Sequence, residues 1–427
     1  MSKRLIALAL AMTFGLALGA NIVSAEDERP ATAALVAAES AEKKETAGTT
    51  EAEAAKPDAE GTLSLLNLRS RMLEHYYPLL ALEENIKTLE EWDYKRTEDE
   101  LRDQLNDIAN QQWQYMTTIP MMGSMMAASL QPQYDALRDA FDDVRSGKLQ
   151  KDNEGVKQQL RNLQNQTVIV AESLYITLKG LEAQDASLTR TIAALGRTEQ
   201  EMTLREKLGQ ISALQLQQVQ LGAMQAESGQ KTLRMNMDNI LMQLKAMSGV
   251  ELDQSLTLAA LPTVTAEQVE AMSLEKDLAS AQEASYELYD AKKAYDDAKT
   301  AYEDARKEYG SYSKKNEWMQ AKHTWQAAQY TYENAKQGYE LKFRTLYAQV
   351  KDAAQIISAK REALAAQEKS YQASALKYKQ GTISANELAN AGDELAKVKD
   401  ELASAERDLL TQYRSYQWAV QYGILNS

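Results

Sequence analysis

Apolar positions recur along most of this chain at alternating steps of three and four, the spacing that keeps one stripe on one face of an α-helix. Two runs show it most clearly. The first is Ala291, Tyr295, Ala298, Tyr302, Ala305 and Tyr309; the second is Trp318, Ala321, Trp325, Ala328, Tyr332, Ala335 and Tyr339. The polar stretch Gly310-Ser311-Tyr312-Ser313 lies between them. Two matching seams around a short turn predict an antiparallel helical hairpin, with aromatic knobs alternating with alanine holes rather than forming a ligand-stacking platform.

Elsewhere the same reading gives a succession of helices. The pattern begins at Thr62 with Leu63, Leu66, Met72 and Leu73, and Pro78 starts or kinks a helix. This first arm runs to about Trp113 and meets a Met-rich break, Ile119 to Met126. Met121, Met122, Met125 and Met126 suit a buried turn first, with a partner patch or a membrane-touching tip as alternatives. A short helix from about Tyr134 to Val144, a polar turn from Ser146 to Gly155 and a long helix from about Val156 to Leu208 follow. Another helix extends to about Met247, and Gly249 to Thr265, containing Pro262, reads as a linker.

A duplicated turn punctuates the chain. Leu208-Gly209-Gln210-Ile211-Ser212 and Gln380-Gly381-Thr382-Ile383-Ser384 stand 172 residues apart. Each glycine can take the left-handed conformation that ends a helix, and each serine can cap the next one. Gln215 and Glu387 then complete a capping box, while Ile211 with Leu216 and Ile383 with Leu388 have the spacing of a hydrophobic staple. The following helices repeat in register. Leu388, Ala391, Leu395, Val398, Leu402, Ala405, Leu409 and Tyr416 match Leu216, Val219, Ala223, Ala226, Gln230, Leu233, Met237 and Leu244. Beside the second seam runs Ala389, Ala396, Ala403 and Leu410, so this helix is expected to touch more than one neighbour. Lys397, Lys399, Asp400 and Glu401 fall off that face, towards water.

The fold class is therefore all-α, built of long antiparallel helical hairpins in two tandem repeats: 61–249, a linker 250–264, and 265–427. Composition agrees, with three Phe, six Pro and no Pro between 133 and 261 or after Pro262. Ahead of the repeats, Lys3 and Arg4 precede the apolar run Leu5 to Val23, and Val23-Ser24-Ala25 has the small residues of a cleavage site. Residues 1–25 read as an export signal peptide, and 26–60 as a disordered acidic tether too poor in large apolar side chains to fold. Losing Lys3 and Arg4 takes the formal charge from −14 to −16, which disfavours nucleic acid and anionic lipid as partners. With no Cys, neither disulfides nor thiolate metal sites are available.

Catalytic chemistry has little to work with. The only histidines are His75 and His323, neither beside a second His at ligand spacing. No glycine-rich loop follows a strand, because no convincing strand exists. Neither metal nor cofactor is implied, and enzyme is the least supported class.

The duplicated Gly-x-Ile-Ser turns, with Gly249 and Gly423 near the repeat ends, resemble the outer-membrane efflux protein (TolC) family over about residues 62 to 423. That resemblance implies a homotrimer in which four helical strands per protomer form a hollow α-barrel, an export duct. It also implies that Leu208, Gly209, Gln210, Ile211 and Ser212, and Gln380, Gly381, Thr382, Ile383 and Ser384, dock on a membrane-fusion (periplasmic adaptor) protein coupled to an inner-membrane transporter. Residues matching the family's acidic channel gate are Glu387 and Asn390, of which one keeps a carboxylate.

The chain departs from the family at the far end of the arms. Outer-membrane members insert a strand pair into each repeat there, and a membrane-spanning strand takes about 9 to 11 residues. Gly310 to Asn316 has no room for a pair, and Pro120 and Pro132 flank the Met-rich break. The expectation is a TolC-like α-barrel protomer without an evident β-barrel, in the periplasm and outer membrane or in the wall of a single-membrane bacterium. The rival is a non-channel coiled-coil spacer of the envelope.

Overall fold

The computed structural model describes residues 58–59, 61–119, 122–309 and 316–425. The signal peptide, all of the tether but Asp58 and Ala59, Pro120 and Met121, and the turn Gly310 to Ser313 lie outside the described residues. Twelve helices occupy almost all of the rest. They are α1 (Leu65–His75), α2 (Tyr77–Glu90), α3 (Tyr94–Thr118), α4 (Gly123–Ser129), α5 (Gln131–Arg145), α6 (Lys148–Lys207), α7 (Ala213–Ser248), α8 (Ala266–Glu270), α9 (Leu274–Ala284), α10 (Tyr286–Tyr309), α11 (Asn316–Lys379) and α12 (Ala385–Tyr422). Two compact units divide within α2 and α6 rather than between the repeats: the described residues of 82–160 make one, and those of 58–81 with those of 161–425 make the other.

In the smaller unit α3 packs against α5, with α4 between them. Gln112 ties the bundle by donating to the Ala127 carbonyl and the Gln131 side chain, both at 3.2 Å. The Met-rich break is tight because it is a close approach: a Cβ on Gly123 would fall 2.0 Å from the Tyr115 carbonyl oxygen. Gly123 and Ala127 are buried, whereas Met122 and Met125 are 58% and 71% exposed. The expected buried methionine turn is thus corrected for Met122 and Met125, which face outward while the small residues fill the contact; Met126 is half-buried. The long helix also begins eight residues earlier than its pattern suggested. The turn is Ser146-Gly147 alone, with Gly147 at φ 72, and Asn153 inside the helix is buried and donates to the Tyr94 hydroxyl at 3.2 Å.

In the larger unit, Asp58 at the end of the tether belongs to the fold: its carboxylate accepts from the Ser64 N–H at 2.9 Å and the Asn67 amide at 2.8 Å. Two short strands, β1 (Thr62–Leu63) and β2 (Thr257–Leu258), pair in parallel, so the linker carries one element of sheet that no sequence run announced. These are the only strands among the described residues. Pro78 sits in the first turn of α2, where its missing N–H costs nothing.

The second-repeat core joins Val269, Met272 and Ala281 to Tyr339, Phe343, Val350 and Ile357 of α11 and to Leu409, Tyr416 and Ala419 of α12. The seam between α10 and α11 is a packed one, with Tyr302 stacked on Trp325 at 5.0 Å and Tyr295 on Tyr332 at 6.1 Å. Every residue of the two duplicated seams on α7 and α12 is buried or half-buried.

Candidate functional site

Both twin turns fold by the same local rules. Gly209 and Gly381 have φ of 67° and 72°, the left-handed region where a side chain costs roughly 1–2 kcal/mol. Each closes a Schellman motif: Gln210 N–H to Arg205 C=O and Gly209 N–H to Glu206 C=O, both 2.8 Å, match Thr382 to Lys377 at 3.0 Å and Gly381 to Tyr378 at 2.9 Å. Ser212 and Ser384 then cap α7 and α12 with complete capping boxes. In both copies the residues from 208 to 210 and from 380 to 382 are exposed, the isoleucine is half-buried and the serine is exposed. Nothing lies within 4 Å of a Cβ built on either glycine. Ten matching residues thus present two open knuckles closed by the same backbone hydrogen bonds.

The gate candidates sit one helical turn further on. The Glu387 carboxylate accepts the Ser384 N–H at 2.7 Å, and that backbone hydrogen bond, then the Ser384 hydroxyl, holds its pKa below the ordinary glutamate value. Asn390 is exposed on the same helix. Glu387 and Asn390 are three residues apart, and Glu387 is committed to its cap.

Behind the turns the arms are held in register by polar pairs. Between α6 and α7, Glu199 meets Gln220 at 2.9 Å, Thr189 meets Gln230 at 2.8 Å and Asp185 meets Arg234 at 2.9 Å. Each pair sums to the same residue number, as an unslipped antiparallel hairpin requires. A second ladder joins α6 to α12 across the repeats. Glu201 accepts from Asn386 at 3.4 Å, and Arg197 pairs with Asp393, Arg190 with Asp400 and Glu172 with Arg414. The first three α12 members recur every seven residues, and Arg414 stands two such steps further on. Asp400, expected towards water, is therefore engaged with α6; Glu401, also off the seam, pairs with Lys360 of α11 at 2.7 Å. So α12 does touch more than one neighbour.

At the end of this ladder furthest from the turns lies a buried ionic cluster that the sequence did not reveal. Glu172, 3% exposed, takes both Arg414 and the Trp418 indole N–H, the latter at 2.9 Å. Arg69 lies over the Tyr422 ring at 4.5 Å and donates to Asn165 at 3.1 Å.

Comparison with solved structures resolves the architecture. The outer-membrane channel OprN superposes with a TM-score of 0.55, covering 94% of this chain and 99% of that one at 13% identity. The chain has a TolC-like fold. A membrane protein from Pseudomonas aeruginosa gives a TM-score of 0.51 over 85% of this chain and 90% of its own, at 11% identity. No protein-family model matches, and no curated protein does at a significant level. The TolC-like fold here is carried by helices, with β1 and β2 as the only strands among the described residues. No described helix is long and apolar enough to cross a membrane, and no group of three or more described His, Cys, Asp or Glu side chains could hold a metal ion.

One duplicated pair went unread in the sequence although it lies at the same 172-residue offset. Tyr175 and Lys179 on α6 match Tyr347 and Lys351 on α11. Tyr175 reaches the carbonyls of Ala259 at 2.8 Å and Leu63 at 2.9 Å, and Lys179 donates to Leu258 at 2.9 Å. Tyr347 donates to Met272 at 3.4 Å, and Lys351 to Val269 at 2.5 Å. Leu258 and Ala259 of the linker are thus strapped to α6, and Val269 and Met272 at the start of the second repeat to α11, by the same two kinds of side chain.

Proposed function

We propose that this chain is the protomer of a homotrimeric helical export duct of the cell envelope, which docks through its twin turns on a membrane-fusion protein coupled to an inner-membrane transporter. The observation that carries the assembly is an unpartnered stripe on α7. Leu214, Leu221, Met235 and Met242 are 64%, 52%, 62% and 46% exposed, and with Ser228 they recur every seven residues. Their counterparts 172 residues on are Asn386, Asp393, Arg407 and Arg414, with Asp400 matching Ser228: the row that α12 turns towards α6.

The repeat relation supports one choice of missing neighbour. If α12 meets α6, then α7 meets the counterpart of α6, which is α11 of another copy. A contact of this head-to-tail kind closes into a ring when the rotation permits, and an apolar seam suits a permanent one. Mechanism in such a duct is passive: the arms enclose a water-filled path, and small movements of the two knuckles admit cargo. Leu208, Gly209 and Gln210, with Gln380, Gly381 and Thr382, are the docking surface in this reading, and Glu387 and Asn390 line its narrow end.

The test uses the absence of natural cysteine. By the α6–α12 register, Leu221 should oppose Lys369 of a neighbouring copy. Oxidising the double variant Leu221→Cys, Lys369→Cys should yield a covalent trimer in denaturing gels, and Leu221→Glu with Met235→Glu should disperse it to monomers in light scattering. A wild-type chain that is monomeric at micromolar concentration would instead favour the envelope spacer. Docking is tested separately: Leu208→Glu should abolish capture of the cognate membrane-fusion protein while leaving the trimer intact.

A further inference from the structure

Along the α12 row Asn386, Asp393, Asp400, Arg407 and Arg414, every member but one meets a side chain of α6. The exception is Arg407, which stands opposite Gly180: a Cβ there would lie 3.9 Å from the Arg407 Nε. Its own helix offers it no carboxylate, because positions 403, 404, 410 and 411, three and four residues away, hold Ala, Ser, Leu and Thr. The nearby charges are engaged elsewhere. Lys179 holds Glu182 at 2.8 Å and the Leu258 carbonyl, and Arg361 pairs with Glu406 at 3.2 Å. Arg407 is half-buried and has no side-chain hydrogen bond or ion pair among the described residues.

This unpaired guanidinium opens on a cleft of about 310 Å³ under the inter-repeat segment, with Pro262, Val264 and Ile357 on its apolar side and the already paired Lys179, Arg361 and Glu406 also on its lining. The size is at the lower end of the roughly 300–1,000 Å³ typical of small-molecule sites. One free cation with apolar walls selects a single negative charge on an apolar body. A guanidinium fork matches a carboxylate bidentately, whereas a phosphate dianion would leave charge unmatched here.

We propose that this cavity binds a small amphiphilic carboxylate, its head group paired with Arg407 and its apolar body laid against Pro262, Val264 and Ile357. The site does not depend on the duct reading, because every residue in it comes from one protomer.

Octanoate and 1-octanol, titrated into the full chain by calorimetry with helicity followed by circular dichroism, distinguish the charge from the apolar walls. Octanoate should bind at least about tenfold more tightly than octanol, the scale of one charge-assisted pair. Arg407→Met should remove that preference. Gly180→Asp, which places a carboxylate across from the guanidinium, should remove it too while leaving helicity unchanged, and Gly180→Ala should retain it. The proposal fails if octanoate binds wild type no better than octanol, if folded Arg407→Met or Gly180→Asp binds octanoate as wild type does, or if Gly180→Ala loses as much as Gly180→Asp.

Discussion

Tyr175 and Tyr347 stand 172 residues apart; Tyr175 directs its hydroxyl to the Ala259 carbonyl of the linker, and Tyr347 directs its own to the Met272 carbonyl at the start of the second repeat. Burial pushes the Tyr175 phenol well above the ordinary tyrosine value, so it stays a neutral donor across the physiological range. Its single proton serves two carbonyls, those of Leu63 and Ala259. The strap that crosses both long arms is thus held by neutral hydrogen bonds and two lysines, not by apolar burial alone.

Replacing Tyr175 with Phe leaves both carbonyls without this donor in a fully buried place. The expected loss is about 1–3 kcal/mol, read as a lower urea midpoint at unchanged slope. Tyr347→Phe should cost less, because its bond to Met272 is long, at 3.4 Å. Equal losses would show that the two phenols do not act through these bonds.

Glu172 and Arg414 form a pair whose acidic side is almost completely buried. Removing one partner of such a pair costs about 3–5 kcal/mol, whereas replacing both by apolar residues of similar size is often neutral. Glu172→Met is therefore expected to lower the unfolding midpoint strongly, and Glu172→Met with Arg414→Met to recover much of it. A double variant as unstable as the single one would locate the cost in the Trp418 indole or in Arg69 instead.

The twin turns differ in one ionisable group, Gln215 against Glu387. The Ser384 N–H and hydroxyl depress the Glu387 pKa. A depressed carboxylate adds stability that is fully present above the unfolded value of about 4.3 and is lost as pH falls through the lower folded value. Amide exchange at Ser384 should therefore lose protection on acidification in that window, while Ser212, capped by an amide, should not. Glu387→Gln should make the two turns behave alike; a persisting difference would assign the effect to another group.

Gly209→Ala and Gly381→Ala test the left-handed position alone, since a Cβ meets nothing at either site. Each should destabilise by about 1 kcal/mol through backbone strain, and the two should add, being independent turns. Thermal unfolding of the singles and the double provides the measurement.

The twin turns and the helical class were legible in the sequence because both are local. A glycine, a serine three residues later and a Gln or Glu three beyond that specify a Schellman end and a capping box with no distant residue involved. Pro78 and the aromatic hairpin seam were readable for the same reason. A polar run containing Gly155 looks like a turn, however, and only the burial of Asn153 against Tyr94 explains why α6 already runs through it. Two-residue strands such as β1 and β2 have no periodicity to detect, and they exist because the linker returns to Thr62 from 195 residues away, at Thr257. Tyr175 and Lys179 repeat as plainly as the turns do, but two side chains four apart have no meaning until the carbonyls they reach are known. Which acids are free and which are paired was decided in the same way. Asp400 looks like a solvent-facing charge on one helix, and it joins Asp393 in a ladder only when packing brings Arg190 and Arg197 across from them, because pairing depends on proximity in space and not along the chain.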